Sequence, residues 1–96
     1  MNLPIYIDID GTLTDSPDTR WGRVVPGRIE AVKRLIASGE RVVLWSAGSD
    51  EYAKEFAKKF QLNVHAALGK PRYCIDDKND IRLNGLTVLS PEELDK

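Results

Sequence analysis

Two spacings of apolar residues alternate along the chain. Ile5, Tyr6, Ile7 and Ile9 form a nearly continuous run, which predicts a strand over Pro4 to Asp10 at the centre of a parallel sheet, buried on both faces. Gly11 to Val25 is rich in Gly, Thr, Asp, Ser and Pro and reads as a loop with a short hairpin. Ile29, Val32, Leu35 and Ile36 then recur at helical spacing, and Gly39 suits the residue just past a helix end. A helix is therefore expected over Arg28 to Ser38. Val42, Val43 and Leu44 centre a second strand, Arg41 to Trp45, closed by the turn Ser46-Ala47-Gly48. Ser49 can cap the next helix, and Asp50 and Glu51 suit its positive end. Tyr52, Ala53, Phe56, Ala57 and Phe60 form that helix's apolar stripe, while Lys54, Lys58 and Lys59 face water. Short strands are expected at Val64 to Ala67, at Tyr73-Cys74-Ile75 leading into Asp76-Asp77, and at Leu86 to Leu89. Ser90-Pro91-Glu92-Glu93 has the marks of a helix start with a capping box.

Strands alternating with helices imply right-handed βαβ units and an α/β fold whose parallel sheet is covered on both faces, a three-layer sandwich. At 96 residues one domain, residues 1–96, is the natural reading. Ligands in such sheets bind beyond the carboxyl ends of the strands, and the polar interruptions fall there. Asp8 and Asp10 end the first strand, Ser46 the second, and Asp76 and Asp77 the strand after Lys70.

The bulk composition narrows the partners. Fourteen Lys and Arg against fifteen Asp and Glu leave a net charge of −1, so no global positive field attracts nucleic acid. No apolar run approaches the length of a membrane span, and the start of the chain lacks a signal-peptide pattern. Cys74 is the only cysteine, which excludes an internal disulfide. A cytoplasmic protein is expected.

The strand-end residues suggest chemistry together. Residues two apart on a strand share a face, so Asp8 and Asp10 would lie side by side, a repulsion relieved by a cation or a shared proton. Two carboxylates in different environments can divide the labour of nucleophile and acid/base. Gly11 allows the chain to turn sharply after them.

Asp8-Ile9-Asp10-Gly11-Thr12-Leu13-Thr14 after an apolar strand resembles motif I of the haloacid dehalogenase superfamily. Ser46, closing Val42-Val43-Leu44-Trp45, resembles motif II, Lys70 the motif III lysine, and Ile75-Asp76-Asp77 the motif IV acidic pair; order and spacing agree over roughly residues 4–80. The resemblance implies a phosphatase. Asp8 would form an aspartyl-phosphate, and Asp10 would protonate the leaving oxygen and later deprotonate water. Mg²⁺ would be held by the Asp8 carboxylate, the Asp10 backbone carbonyl and a carboxylate of the acidic pair, with Asp77 as direct ligand and Asp76 beside it. Ser46 and Lys70 would bind the phosphoryl oxygens. Family members that transport ions carry Thr at the position of Asp10, and they need membrane helices.

The stretches from Gly11 to Pro26 and from Ser46 to Lys70 are short, so the chain resembles the capless members. An open site admits a phosphorylated small molecule or macromolecule, or is closed by a second copy of the chain. Arg20, Trp21 and Arg23 are candidates for substrate contact beyond the phosphate, though Trp21 serves equally as a core plug. Arg72 competes with Lys70 for its role, and Asn79 and Asp80 suit either support of the acidic pair or a plain loop. His65 is expected to be structural or partly exposed, Cys74 to pack as a small hydrophobe, and Trp45 to pack on the face opposite Ser46. Two other functions fit parts of the pattern. One is a module that receives a phosphoryl group on Asp as signalling receivers do, although their acidic pair precedes the acceptor strand, the reverse of the order here. The other is a non-catalytic phosphate-binding relative.

Overall fold

A computed structural model describes residues 3–16, 22–77 and 87–96. Three parallel strands, β1 (Ile5–Asp8), β2 (Val42–Ser46) and β3 (Ala66–Gly69), lie in the order β1-β2-β3. Helices α1 (Arg28–Ala37) and α2 (Asp50–Lys59) make the two crossovers. The register pairs Ile7 with Leu44 and Asp8 with Trp45, then Leu44 with Ala67 and Ser46 with Gly69.

Strand order follows chain order, so right-handed crossovers put both helices on one face of the sheet. Ile7, Val42, Leu44 and Ala67 point to that face and pack with Ile29 and Val32 of α1 and Ala53, Phe56 and Ala57 of α2. Paired residues of the opposite face include Tyr6 with Val43 and Asp8 with Trp45. There the Tyr6 and Trp45 rings meet edge to face at 4.9 Å, and Tyr6 and Leu68 are exposed. Among the described residues, helices cover one face of the sheet, not the two expected.

The helix ends follow from local chemistry. Val25-Pro26-Gly27-Arg28 turns through an Arg28 N–H to Val25 C=O bond of 3.2 Å, with Gly27 at φ 86°. Proline second and glycine third are the residues of a type II turn. At the other end Gly39 (φ 94°) donates to the Ile36 carbonyl and Glu40 to that of Leu35, the Schellman arrangement. Ser49 caps α2 as expected by accepting from the Tyr52 amide at 3.0 Å.

Several boundaries differ from the sequence expectation. β1 stops at Asp8 because the Ile9 carbonyl takes the amides of Thr12, Leu13 and Thr14 and turns the chain. The loop after it does carry a hairpin-like bridge, Thr14 to Val24. β3 begins at Ala66 rather than Val64, and Lys70 follows it directly. Tyr73-Cys74-Ile75 is not a strand: Cys74 is exposed, and Ile75 is fully exposed. They pair with no strand among the described residues, so neither ladder bonds nor burial holds them extended. Residues 87–89 form no strand either, and Leu86 lies outside the described residues. Pro91–Asp95 is a 3₁₀ turn in which Ser90 makes no side-chain cap, so the capping box does not form. The Glu93 amide instead bonds the Ser90 carbonyl at 3.1 Å, the tighter pattern of a 3₁₀ turn. Among the described residues no helix is long and apolar enough to cross a membrane.

Candidate functional site

The carboxyl ends of the three strands bring Asp8, Asp10, Ser46 and Lys70 together. Asp8 is the last residue of β1. Its Oδ1 pairs with Lys70 Nζ at 3.1 Å, and its Oδ2 accepts from Thr12 Oγ1 at 3.1 Å. Asp8 and Trp45 share a sheet face, so Lys70 Nζ also lies 5.5 Å from the Trp45 ring centroid, within cation–π reach.

Asp10 faces other partners. Because the chain turns after Asp8, the strand periodicity that would align the two carboxylates is lost. Asp10 Oδ2 accepts from Ser46 Oγ at 3.2 Å, and its Oδ1 accepts from Tyr52 Oη at 2.5 Å. Ser46 is fully buried, and its Oγ also accepts the Gly48 amide at 3.0 Å. Each of the two side chains therefore has one hydrogen-bond donor or cation on each oxygen.

Lys70 is placed by backbone. Its amide bonds the Ser46 carbonyl at 2.7 Å, and the preceding Gly69 amide bonds Asp50 Oδ1 at 2.5 Å. A Cβ at Gly69 would stand 3.2 Å from Asp50 Oδ1 and 3.3 Å from the Asp50 amide nitrogen, so glycine permits this approach of β3 to the start of α2.

The other expected site residues sit apart from this group or outside the description. Asp76 and Asp77 are exposed. Among the described residues, no group of three or more acid, histidine or cysteine side chains is placed to hold a metal ion. The expected convergence of motif IV on Asp8 is thus not seen. Arg23 is exposed, and its backbone amide donates to Asp15 Oδ1 at 2.9 Å. Arg20, Trp21, Asn79 and Asp80 lie outside the described residues. Arg72 stacks 5.1 Å from the Tyr73 ring centroid, and Lys70, not Arg72, meets Asp8. His65 is exposed.

Two residues were missed in the sequence. Tyr52 falls on the apolar stripe of α2 and looks like packing, yet its hydroxyl reaches Asp10. Arg28 is 9 % exposed and forms a bidentate pair with Asp95, both bonds at 3.0 Å, while its Nη1 donates to the Thr12 carbonyl at 2.9 Å. That guanidinium ties the C-terminal turn to the loop carrying Thr12, which in turn touches Asp8. The hydrogen bond from Arg28 holds the Asp95 carboxyl below its ordinary range, partial burial opposing and charge attraction adding; Arg28 is raised in return. Sequence distance hid this pair, and no local signal marks it. Two grooves of about 300 and 280 Å³ lie beside α1 and the C-terminal turn. Neither is lined by Asp8 or Asp10.

No protein-family profile, curated protein or solved structure matches the chain, so the resemblance to the haloacid dehalogenase superfamily stands on the residues of its motifs.

Proposed function

We propose that the chain is a Mg²⁺-dependent phosphomonoester hydrolase of the haloacid dehalogenase type, with Asp8 as phosphoryl acceptor. The observation that carries this reading is the gathering at the three strand ends of two adjoining side-chain groups, Asp8 with Lys70 and Asp10 with Ser46, joined by the Lys70 amide on the Ser46 carbonyl. A carboxylate beside a lysine and a second carboxylate held by hydroxyls provide the parts that covalent phosphoryl transfer requires.

In this mechanism the Lys70 ammonium draws the anionic phosphate towards the equally anionic Asp8. An Asp8 oxygen attacks phosphorus as the ester bond breaks, and Asp10, which enters the cycle protonated, gives its proton to the leaving oxygen. Asp10 then takes a proton from the water that attacks the phosphorus of the acyl phosphate. Inorganic phosphate leaves and Asp8 is restored. The buried Ser46 hydroxyl transfers its hydrogen bond from Asp10 to a phosphoryl oxygen when substrate arrives.

The donor set fits Mg²⁺ in part. The Asp8 carboxylate and the Asp10 carbonyl are the hard oxygens this ion prefers, whereas among the described residues no third carboxylate is placed beside them. Asp77, with Asp76, remains the proposed source of that ligand. When bound, the ion would offset the charge of phosphate and polarise its oxygens.

The finer fold belongs to the same reading: a three-layer, capless sandwich around the parallel sheet. So do the substrate class, a phosphorylated small molecule or macromolecule, closure of the site by a second copy, and a cytoplasmic location. The test is phosphate release from 4-nitrophenyl phosphate. Wild-type protein with Mg²⁺ is expected to turn over, and EDTA to stop it. Asp8→Asn should lose a factor on the order of 10³ or more in kcat while keeping its melting transition. Comparable turnover by the folded variant would rule out Asp8 as nucleophile.

A further inference from the structure

We infer that Tyr52 is a positioning residue for Asp10, holding that carboxylate through its hydroxyl while Ser46 turns to the substrate. The inference rests on the phosphohydrolase reading and adds a residue to it.

Three observations combine. The Tyr52 hydroxyl donates to Asp10 Oδ1 at 2.5 Å, opposite the Ser46 hydroxyl on Oδ2 at 3.2 Å. Tyr52 is itself anchored. It stands in the first turn of α2, its amide bonds the Ser49 cap at 3.0 Å, and its ring packs against the core cluster. The neighbouring Ala53 and Phe56 are buried. Finally, Asp10 lies beyond the end of β1, in a turn, where no ladder bond fixes its direction.

The consequence concerns substrate binding. Ser46 has one hydroxyl proton. If that proton moves to a phosphoryl oxygen, Asp10 loses the donor on Oδ2, and the Tyr52 hydroxyl keeps its hold on Oδ1. A phenol suits this task because a rigid ring with two torsions places its oxygen at little entropic cost. Tyr52 donates a hydrogen bond and exchanges no proton. A carboxylate has about four acceptor positions, so Asp10 held by Tyr52 on one oxygen still has room to carry the proton that it gives to the leaving oxygen and regains from water. A general acid displaced by about 1 Å loses on the order of 10²-fold in rate.

The test uses Tyr52→Phe, which removes the hydroxyl and keeps the ring, on the full chain with Mg²⁺. The parameter is kcat/KM, which reports the step that expels the leaving group. For an alkyl phosphate, whose alcohol must be protonated as it leaves, kcat/KM should fall roughly 10- to 100-fold. For 2,4-dinitrophenyl phosphate, whose phenolate leaves without a proton, it should fall by less than about threefold. In the Asp10→Asn background, Tyr52→Phe should cost no further rate, because both changes remove the same function. Equal losses on both substrates, a full additional loss in the Asp10→Asn background, or unchanged rates on the alkyl phosphate would each overturn the positioning role. Wild-type protein that releases phosphate from neither ester would overturn the phosphohydrolase reading and this inference with it; active wild-type protein with an unaffected Tyr52→Phe variant overturns the inference alone.

Discussion

Lys70 and Asp8 pair at 3.1 Å, with 39 % and 29 % of their side chains still open to solvent. Exposed pairs of this kind add only about 0–1 kcal/mol to stability, because water screens the attraction and two flexible side chains must be held still. Folding therefore has little need of this lysine, whereas the proposed phosphate substrate would have much. Lys70→Met should leave the melting temperature within a few degrees and lower kcat/KM for an aryl phosphate about 10²-fold. A large drop in melting temperature with unchanged turnover would show that the ammonium serves the fold instead. Ser46 is the opposite case. It is fully buried, accepts the Gly48 amide and donates to Asp10, so structure and chemistry share one hydroxyl.

The Arg28–Asp95 pair joins α1 to the C-terminal turn and, through the Thr12 carbonyl, to the loop beside Asp8. Arg28 stays charged throughout, since its pKa is raised from an already high value. The titrating partner is Asp95, whose pKa is lowered by the hydrogen bond from Arg28. A lowered carboxyl stabilises the fold above its unfolded value, and that contribution disappears as pH falls through the folded value. The melting difference between wild type and Asp95→Asn should thus be largest near neutrality and shrink below about pH 4. Asp95 is 45 % exposed, so the effect is modest, and a difference independent of pH would contradict the pair's role. The two helices and first two strands were legible in the sequence, since α1, α2, β1 and β2 carry long periodic or continuous apolar patterns. The segment Tyr73 to Ile75 misled because three apolar residues make a strand only where an edge receives them, and Ile75 is fully exposed. Asp8, Asp10 and Ser46 were legible because polar residues interrupt apolar runs at strand ends, and Lys70 through its resemblance to the motif III lysine. Tyr52 and Arg28 were not, since a tyrosine in an apolar stripe and an arginine at a helix start look ordinary until the chain has folded.

Both helices pack on the same side of the sheet, and the two carboxylates at its carboxyl end have separate partners. Asp10 engages Ser46 and Tyr52 beside α2, while Asp8 lies on the sheet face of Trp45, with Lys70 over that ring. Asp8 thus lies on the side that carries the exposed Tyr6 and Leu68. A divalent ion that binds the folded chain must stabilise it by mass action, by about 2.7 kcal/mol at a hundredfold excess over Kd. Mg²⁺ should accordingly raise the melting temperature of wild type but not of Asp8→Asn; an equal rise in both would place the ion away from Asp8. The most direct measurement traps the covalent intermediate. Protein is mixed with an aryl phosphate and Mg²⁺, quenched in acid within the first turnovers and reduced with borohydride, which converts an acyl phosphate to an alcohol, and the peptides are then weighed. The expected result is substrate-dependent reduction of Asp8 to homoserine, with Asp10 unchanged. Phosphate released at the same rate with Asp8 never reduced would contradict a phosphoryl group carried on that residue.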